Sequence, residues 1–199
     1  MKKLLLTSSG LSSDNIAKRF LDLIGKNPNE TRILFITTAS TNEEEQEYVK
    51  KSEEELLKLG IIREHITWIK GLDSADTQEH DVMYVCGGNT YYLLHEIRRT
   101  HFNEKILHFI DSGGVYVGVS AGSIIMCPDI RHAKNLDKNF IKLQDTRGLN
   151  VIDKVIQPHY EEKDEDTTKK FEKENECTVL RLPDNQALEI ADHKQKRII

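Results

Sequence analysis

Short, almost unbroken apolar runs alternate with longer amphipathic segments along this chain, and that alternation sets out its elements. Residues 3–9, carrying Leu4, Leu5 and Leu6, predict a first strand. After a turn at Gly10, Ser12 or Ser13 caps a helix with Ile16, Phe20, Leu23 and Ile24 on one side, and Gly25 stops it. Residues 32–38, a compact β-branched run, predict a covered strand. Residues 42–59 predict a charged helix packing through Tyr48, Val49, Leu56, Leu57 and Leu59, ended by Gly60. Residues 61–69 predict a third strand, 71–80 a connecting turn or short helix, and 82–86 a nearly continuous apolar strand.

Asn89, after Gly87 and Gly88, caps a helix bearing Leu93, Leu94 and Ile97, and Asn103 starts another running to Ile110. Residues 115–119 form a strand that enters a sharp turn at Ser120 and a short helix through Met126. Residues 127–148 are irregular, 151–157 re-enter the sheet, and 161–175 form a polar helix. Residues 178–182 and 187–191 supply late strands. Without a repeat or flexible linker, this order predicts one domain over residues 1–199, an α/β fold built as a three-layer α/β/α sandwich.

The length suits that reading, since 199 residues form a core without disulfides or a structural metal. With 38% hydrophobic and 31% charged residues, the chain has an ordinary globular composition, unlike a disordered segment. Its 28 Lys and Arg against 33 Asp and Glu give a charge of −5, which argues against a nucleic-acid partner. The opening Met1-Lys2-Lys3 precedes only three leucines, too few for a secretory or membrane-spanning segment. A cytoplasmic protein without a membrane partner is expected, as a monomer or homodimer. Cys86, Cys127 and Cys177 lack metal-motif spacing and suit a reducing compartment. No metal or other cofactor is expected.

The strongest local chemistry is Gly118-Val119-Ser120-Ala121-Gly122 between a strand and a helix. Small residues on either side let the two elements approach while the turn projects the serine hydroxyl, as in a nucleophile elbow. A bare strand-to-helix cap is the plainer reading of the same residues. A serine nucleophile needs a base, and His159 in Gln157-Pro158-His159-Tyr160 follows a predicted strand. A surface histidine is its plainer alternative. Gly87-Gly88-Asn89-Thr90 lies between a strand and a helix, so the Gly88 amide can join the Ala121 amide in holding a developing oxyanion.

Taken together, Val85-Cys86-Gly87-Gly88-Asn89-Thr90 with Leu93-Leu94, Gly118 to Ser123, Cys127-Pro128, Pro158-His159, Leu182-Pro183-Asp184 and Ala187-Leu188 resemble the dipeptidase E-like serine peptidases. That family is related to the cyanophycinases and has a flavodoxin-like, class I glutamine-amidotransferase-like fold. The resemblance implies a nucleophile at Ser120, a base at His159, oxyanion donors at Gly88 and Ala121, and cofactor-free hydrolysis of a short peptide or related amide. Its acidic position falls nearest Asn135, with Asp137 and then Asp129 as alternatives for orienting His159. Asn89 and Thr168 are the candidate substrate contacts. Thr168 stands where aspartyl-dipeptide-cleaving relatives carry a carboxylate-clamping arginine, with Lys169 a shifted alternative, so a relaxed or altered preference is expected.

An amidotransferase would need a cysteine at the elbow, whereas Cys127 lies seven residues beyond it. A conventional α/β-hydrolase and a non-catalytic small-ligand binder are the other readings, the binder being favoured if the base proves disorganised. Glu43-Glu44-Glu45 and Glu53-Glu54-Glu55 read as solvated helix surface, and Trp68 as packing.

Overall fold

A computed structural model describes residues 2–191 and 194–199. Its strands are β1 (Lys3–Thr7), β2 (Ile33–Ile36), β3 (Ile66–Ile69), β4 (Val82–Val85), β5 (Val115–Val119), β6 (Val155–Pro158), β7 (Val179–Leu182), β8 (Ala187–Ala191) and β9 (Lys194–Ile198). The helices are α1 (Asp14–Ile24), α2 (Glu43–Lys58), α3 (Thr90–Arg99), α4 (Phe102–Asp111), α5 (Ala121–Ile124) and α6 (Glu165–Asn175). Among the described residues seven strands form one sheet in the order β3-β2-β4-β5-β1-β8-β9. The first five run parallel, while β8 and β9 are antiparallel to their neighbours.

The strand pleat sorts the core into two layers. Leu4, Leu6, Leu34, Ile36, Met83, Val85 and Tyr116 face one side and pack with α3, α4 and α5. Their alternates Leu5, Ile33, Phe35, Tyr84 and Val117 face the other, against Ile16 and Phe20 of α1 and Val49 and Leu56 of α2. Leu4, Leu5 and Leu6 are fully buried, each contributing on the order of 2 kcal/mol by leaving water. This is the three-layer α/β/α sandwich expected from the pattern.

Local signals fix the helix ends. Ser13 accepts the Ile16 N–H, and Gly25 closes α1 in the left-handed region. Asn42 and Glu45 form a reciprocal capping box at the start of α2. Glu43 and Glu54 are solvated, but Glu53 is buried, accepting from Arg63 and from Trp68 Nε1. Trp68 packs its ring on Phe35, 4.9 Å between centroids.

One expected strand pairs elsewhere. Residues 155–158 do not re-enter the main sheet: β6 pairs in parallel with β7 in a separate two-stranded sheet. Its apolar run is buried instead between α5, the turn Arg131–Asn135 and α6. The edge strand β9 is mostly exposed and rich in Lys and Arg, and such a polar edge carries no apolar period in the sequence. No helix among the described residues is long and apolar enough to cross a membrane.

Candidate active site

Parallel register brings the ends of five strands together. Thr7 of β1 lies opposite Val119 of β5, so Ser8 and Ser120, each one residue further on, emerge as neighbours, and the Ser120 N–H donates to the Thr7 carbonyl at 3.1 Å. Val85 of β4 lies opposite Gly118, which brings Gly87 and Gly88 beside the same turn. In the small sheet Pro158 lies opposite Leu182, so His159 and Asp184 leave together, held by the Tyr160 N–H on the Leu182 carbonyl at 3.2 Å. These residues all follow the carboxyl ends of parallel strands, where open α/β sheets place their ligands.

Ser120 occupies φ 46°, ψ −103°, a conformation non-glycine residues rarely adopt and one that aims the side chain outward. Backbone crowding around it requires glycine: a Cβ on Gly118 would lie 2.5 Å from the Gly122 carbonyl oxygen, and one on Gly122 would run into the Val85 carbonyl oxygen. The elbow therefore turns tightly between β5 and α5.

Ser120 Oγ lies 3.0 Å from His159 Nε2, and His159 Nδ1 lies 2.6 Å from Asp184 Oδ1. With the proton on Nδ1, the ring donates to Asp184 and presents a basic Nε2 to the serine. Gly88, at φ 127°, lies against Ala39, leaving no room there for a Cβ. Its neighbour Gly87 lies close to Ser120, a Cβ on it falling 3.5 Å from that of the serine. Among the described residues no acceptor is bonded to the Gly88 or Ala121 N–H, so both donors are free for a ligand.

The other residues singled out in the sequence lie apart from this relay. Asn135 is exposed in the turn Arg131–Asn135. Asp137 accepts the Thr90 N–H at 3.0 Å and the Thr90 hydroxyl at 2.5 Å, and burial pushes its carboxyl above the usual range. Asp129 accepts from Arg131 and Thr146. The partner of His159 is thus Asp184, where the sequence pattern pointed to Asn135. The cause is chain order: the resemblance places an acid between serine and histidine, whereas Asp184 follows both. The cue was a lone Asp just past a late strand.

Asn89 is occupied structurally, its Oδ1 capping Tyr92 and its Nδ2 donating to the Lys138 carbonyl. Thr168 is fully buried, its hydroxyl within hydrogen-bond distance of Gln157 Oε1 at 2.5 Å and of the Asp164 carbonyl oxygen at 2.9 Å, so it faces the core rather than the cleft. Lys169 points outward and pairs with Glu165. Neither supplies the clamp expected there.

A cavity of about 550 Å³ opens beside Ser120 and His159. Glu44, Glu45, Glu55, Asp137 and Asp184 line it, and among its described lining residues Lys51 is the one Lys or Arg. Burial raises the Glu55 carboxyl above its ordinary range, although the Leu11 N–H bonded to it at 2.8 Å opposes the shift. Cys127 is no competing nucleophile, since burial pushes its thiol up to about 12 and its Sγ accepts the Ile156 N–H at 3.2 Å. No metal-holding group of His, Cys, Asp and Glu occurs among the described residues.

Comparison with known proteins points the same way. The model of peptidase family S51 matches residues 4–198. An uncharacterized peptidase of Listeria monocytogenes serovar 1/2a is 35% identical over 165 residues, covering 80% of this chain and 78% of that one. Peptidase E of Salmonella typhi is 31% identical over 166 residues, covering 80% and 69%. Among solved structures, one provisionally named peptidase E, from Listeria monocytogenes EGD-e, superposes with a TM-score of 0.81 at 28% identity, covering 99% of this chain and 98% of that one. A peptidase from an acI-B1 Actinobacterium shares the fold, with a TM-score of 0.66 at 20% identity over 100% and 87% of the two chains.

Proposed function

The chain belongs to peptidase family S51, and on that premise we propose that it cleaves short peptides or related amides through an acyl-enzyme on Ser120, with His159 as base and Asp184 as the acid that orients it. The observation that carries this is the continuous relay from Ser120 Oγ through His159 to Asp184, at 3.0 and 2.6 Å. A binder that had lost catalysis would not need its histidine held at both ring nitrogens.

In the reaction Ser120 Oγ attacks the carbonyl carbon as its proton passes to His159 Nε2. The imidazolium is stabilised by Asp184 through Nδ1–H. The Gly88 and Ala121 amides receive the oxyanion, a contribution of about 3 kcal/mol per donor to the transition state. Collapse breaks the carbon–nitrogen bond, and His159 returns its proton to the departing amine. Water, deprotonated by the same nitrogen, then attacks the ester carbon; the carbon–Oγ bond breaks as His159 returns that proton to Ser120 Oγ, and the carboxylic acid departs. Nothing in this sequence draws on a cofactor.

Residues 1–199 act as one hydrolytic domain in this reading, supported by the two buried layers that share one sheet. A cytoplasmic location is part of it, supported by the free thiols of Cys86, Cys127 and Cys177. The test is dipeptide hydrolysis by purified protein: Ser120→Ala should abolish turnover, and undiminished turnover would overturn the proposal.

A further inference from the structure

The base and acid meet on a third side chain. Ser8, fully buried at the end of β1, accepts the backbone N–H of His159 at 2.7 Å and donates its own proton to Asp184 Oδ1 at 2.9 Å. That carboxylate oxygen is the one bonded to His159 Nδ1. One hydroxyl therefore fixes the main chain of the base and the accepting atom of the acid.

Both partners need such a hold. The Asp184 side chain is 64% exposed, and an exposed carboxylate has many water-solvated rotamers in which it no longer meets the imidazole. His159 has φ 54°, a strained setting that persists only where surrounding bonds over-determine it. Ser8 directly follows β1, a buried strand of the main sheet, whereas His159 and Asp184 both leave the small one. Ser8 thus ties the frame carrying the base and acid to the frame carrying Ser120. The adjacent Ser9 hydroxyl adds a bond to the Asp184 carbonyl at 2.9 Å.

We propose that Ser8 is a positioning residue of the relay, its hydroxyl aligning the His159–Asp184 pair on Ser120 without touching substrate. The inference rests on the catalytic reading above. Its loss should lower kcat about 10- to 100-fold, the scale for removing a supporting hydrogen bond or misplacing a reacting group. KM should change little, because substrate contacts remain.

The experiment measures kcat, KM and melting temperature for the full chain and for Ser8→Ala, Ser8→Cys and Ser120→Ala. The cysteine variant nearly keeps the buried volume but donates weakly, so it serves if the alanine variant fails to fold. Proton NMR follows the downfield His159 Nδ1–H signal of the folded variants. The expected result is a fall in kcat at nearly constant KM, with that signal broadened or moved upfield. Wild-type kcat in the folded Ser8 variant, or an unchanged Nδ1–H signal, would overturn the role of Ser8 while leaving the nucleophile intact. Activity surviving in Ser120→Ala would instead remove the catalytic reading beneath it.

Discussion

His159 and Asp184, 25 positions apart in the sequence, meet at 2.6 Å because Pro158 and Leu182, the last residues of their strands, face each other in a parallel pair. The same register that builds the small sheet thus builds the acid–base pair. Asp184→Asn should keep the fold and lower kcat by about 10²- to 10⁴-fold, since a neutral amide neither holds the required tautomer nor stabilises imidazolium. Asn135→Ala, altering an exposed turn, should leave kcat/KM unchanged. The reverse ranking in steady-state assays would return the orienting role to Asn135.

Substrate preference follows from the cleft. Glu44, Glu45, Glu55 and Asp137 face it with Lys51 as the opposing cation, and Thr168 is buried elsewhere. An anionic first side chain gains no planar two-donor partner from Lys51. A dipeptide library should show at most a modest kcat/KM preference for Asp-Xaa over neutral Xaa-Xaa at matched pH and salt. Near-exclusive Asp-Xaa cleavage would contradict this account.

The elbow depends on backbone contact. Gly122→Ala places a methyl against the Val85 carbonyl oxygen, which should destabilise the fold by about 1–3 kcal/mol and displace the Ala121 amide. Urea denaturation should show a lowered midpoint accompanied by reduced turnover. An unchanged midpoint would mean that β4 and α5 are less tightly apposed.

These elements differ in how plainly the sequence announces them. Leu4 to Leu6 and the residues around Tyr84 form uninterrupted apolar runs because parallel strands are covered on both faces. The elbow is local, so Gly118 to Gly122 displays it within five residues. Asp184 belongs to a meeting of distant strand ends, and no spacing rule says which loop converges on His159. Thr168 was misplaced because the polar pattern of α6 does not fix which side faces the cleft. β9 is hard to read because Lys194, Gln195, Lys196 and Arg197 are all exposed and polar, leaving Ile198 as its one buried side chain.

Acid should weaken the fold through His132. This imidazole is buried, neither ring nitrogen has a hydrogen-bond partner among the described residues, and it packs edge-on against Phe171 at 4.7 Å. Burial holds its pKa below the ordinary value, with the Asp164 charge opposing and Lys134 and Arg181 reinforcing the shift. Between the lowered folded value and an unfolded value of about 6.5, the unfolded chain binds more protons, so stability rises with pH. As pH falls through that window this stability is lost. Urea midpoints at neutral and mildly acid pH should diverge more for the native chain than for His132→Leu; parallel dependence would show that His132 is not responsible.

The central claim is that Ser120 is the nucleophile activated by His159 and Asp184, and covalent labelling tests it most directly. A fluorophosphonate probe, followed by proteolysis and mass mapping, should modify the peptide containing Ser120, and His159→Ala or Asp184→Asn should slow that labelling sharply. Labelling confined to another residue, or an unchanged rate on Ser120 in both variants, would contradict the account.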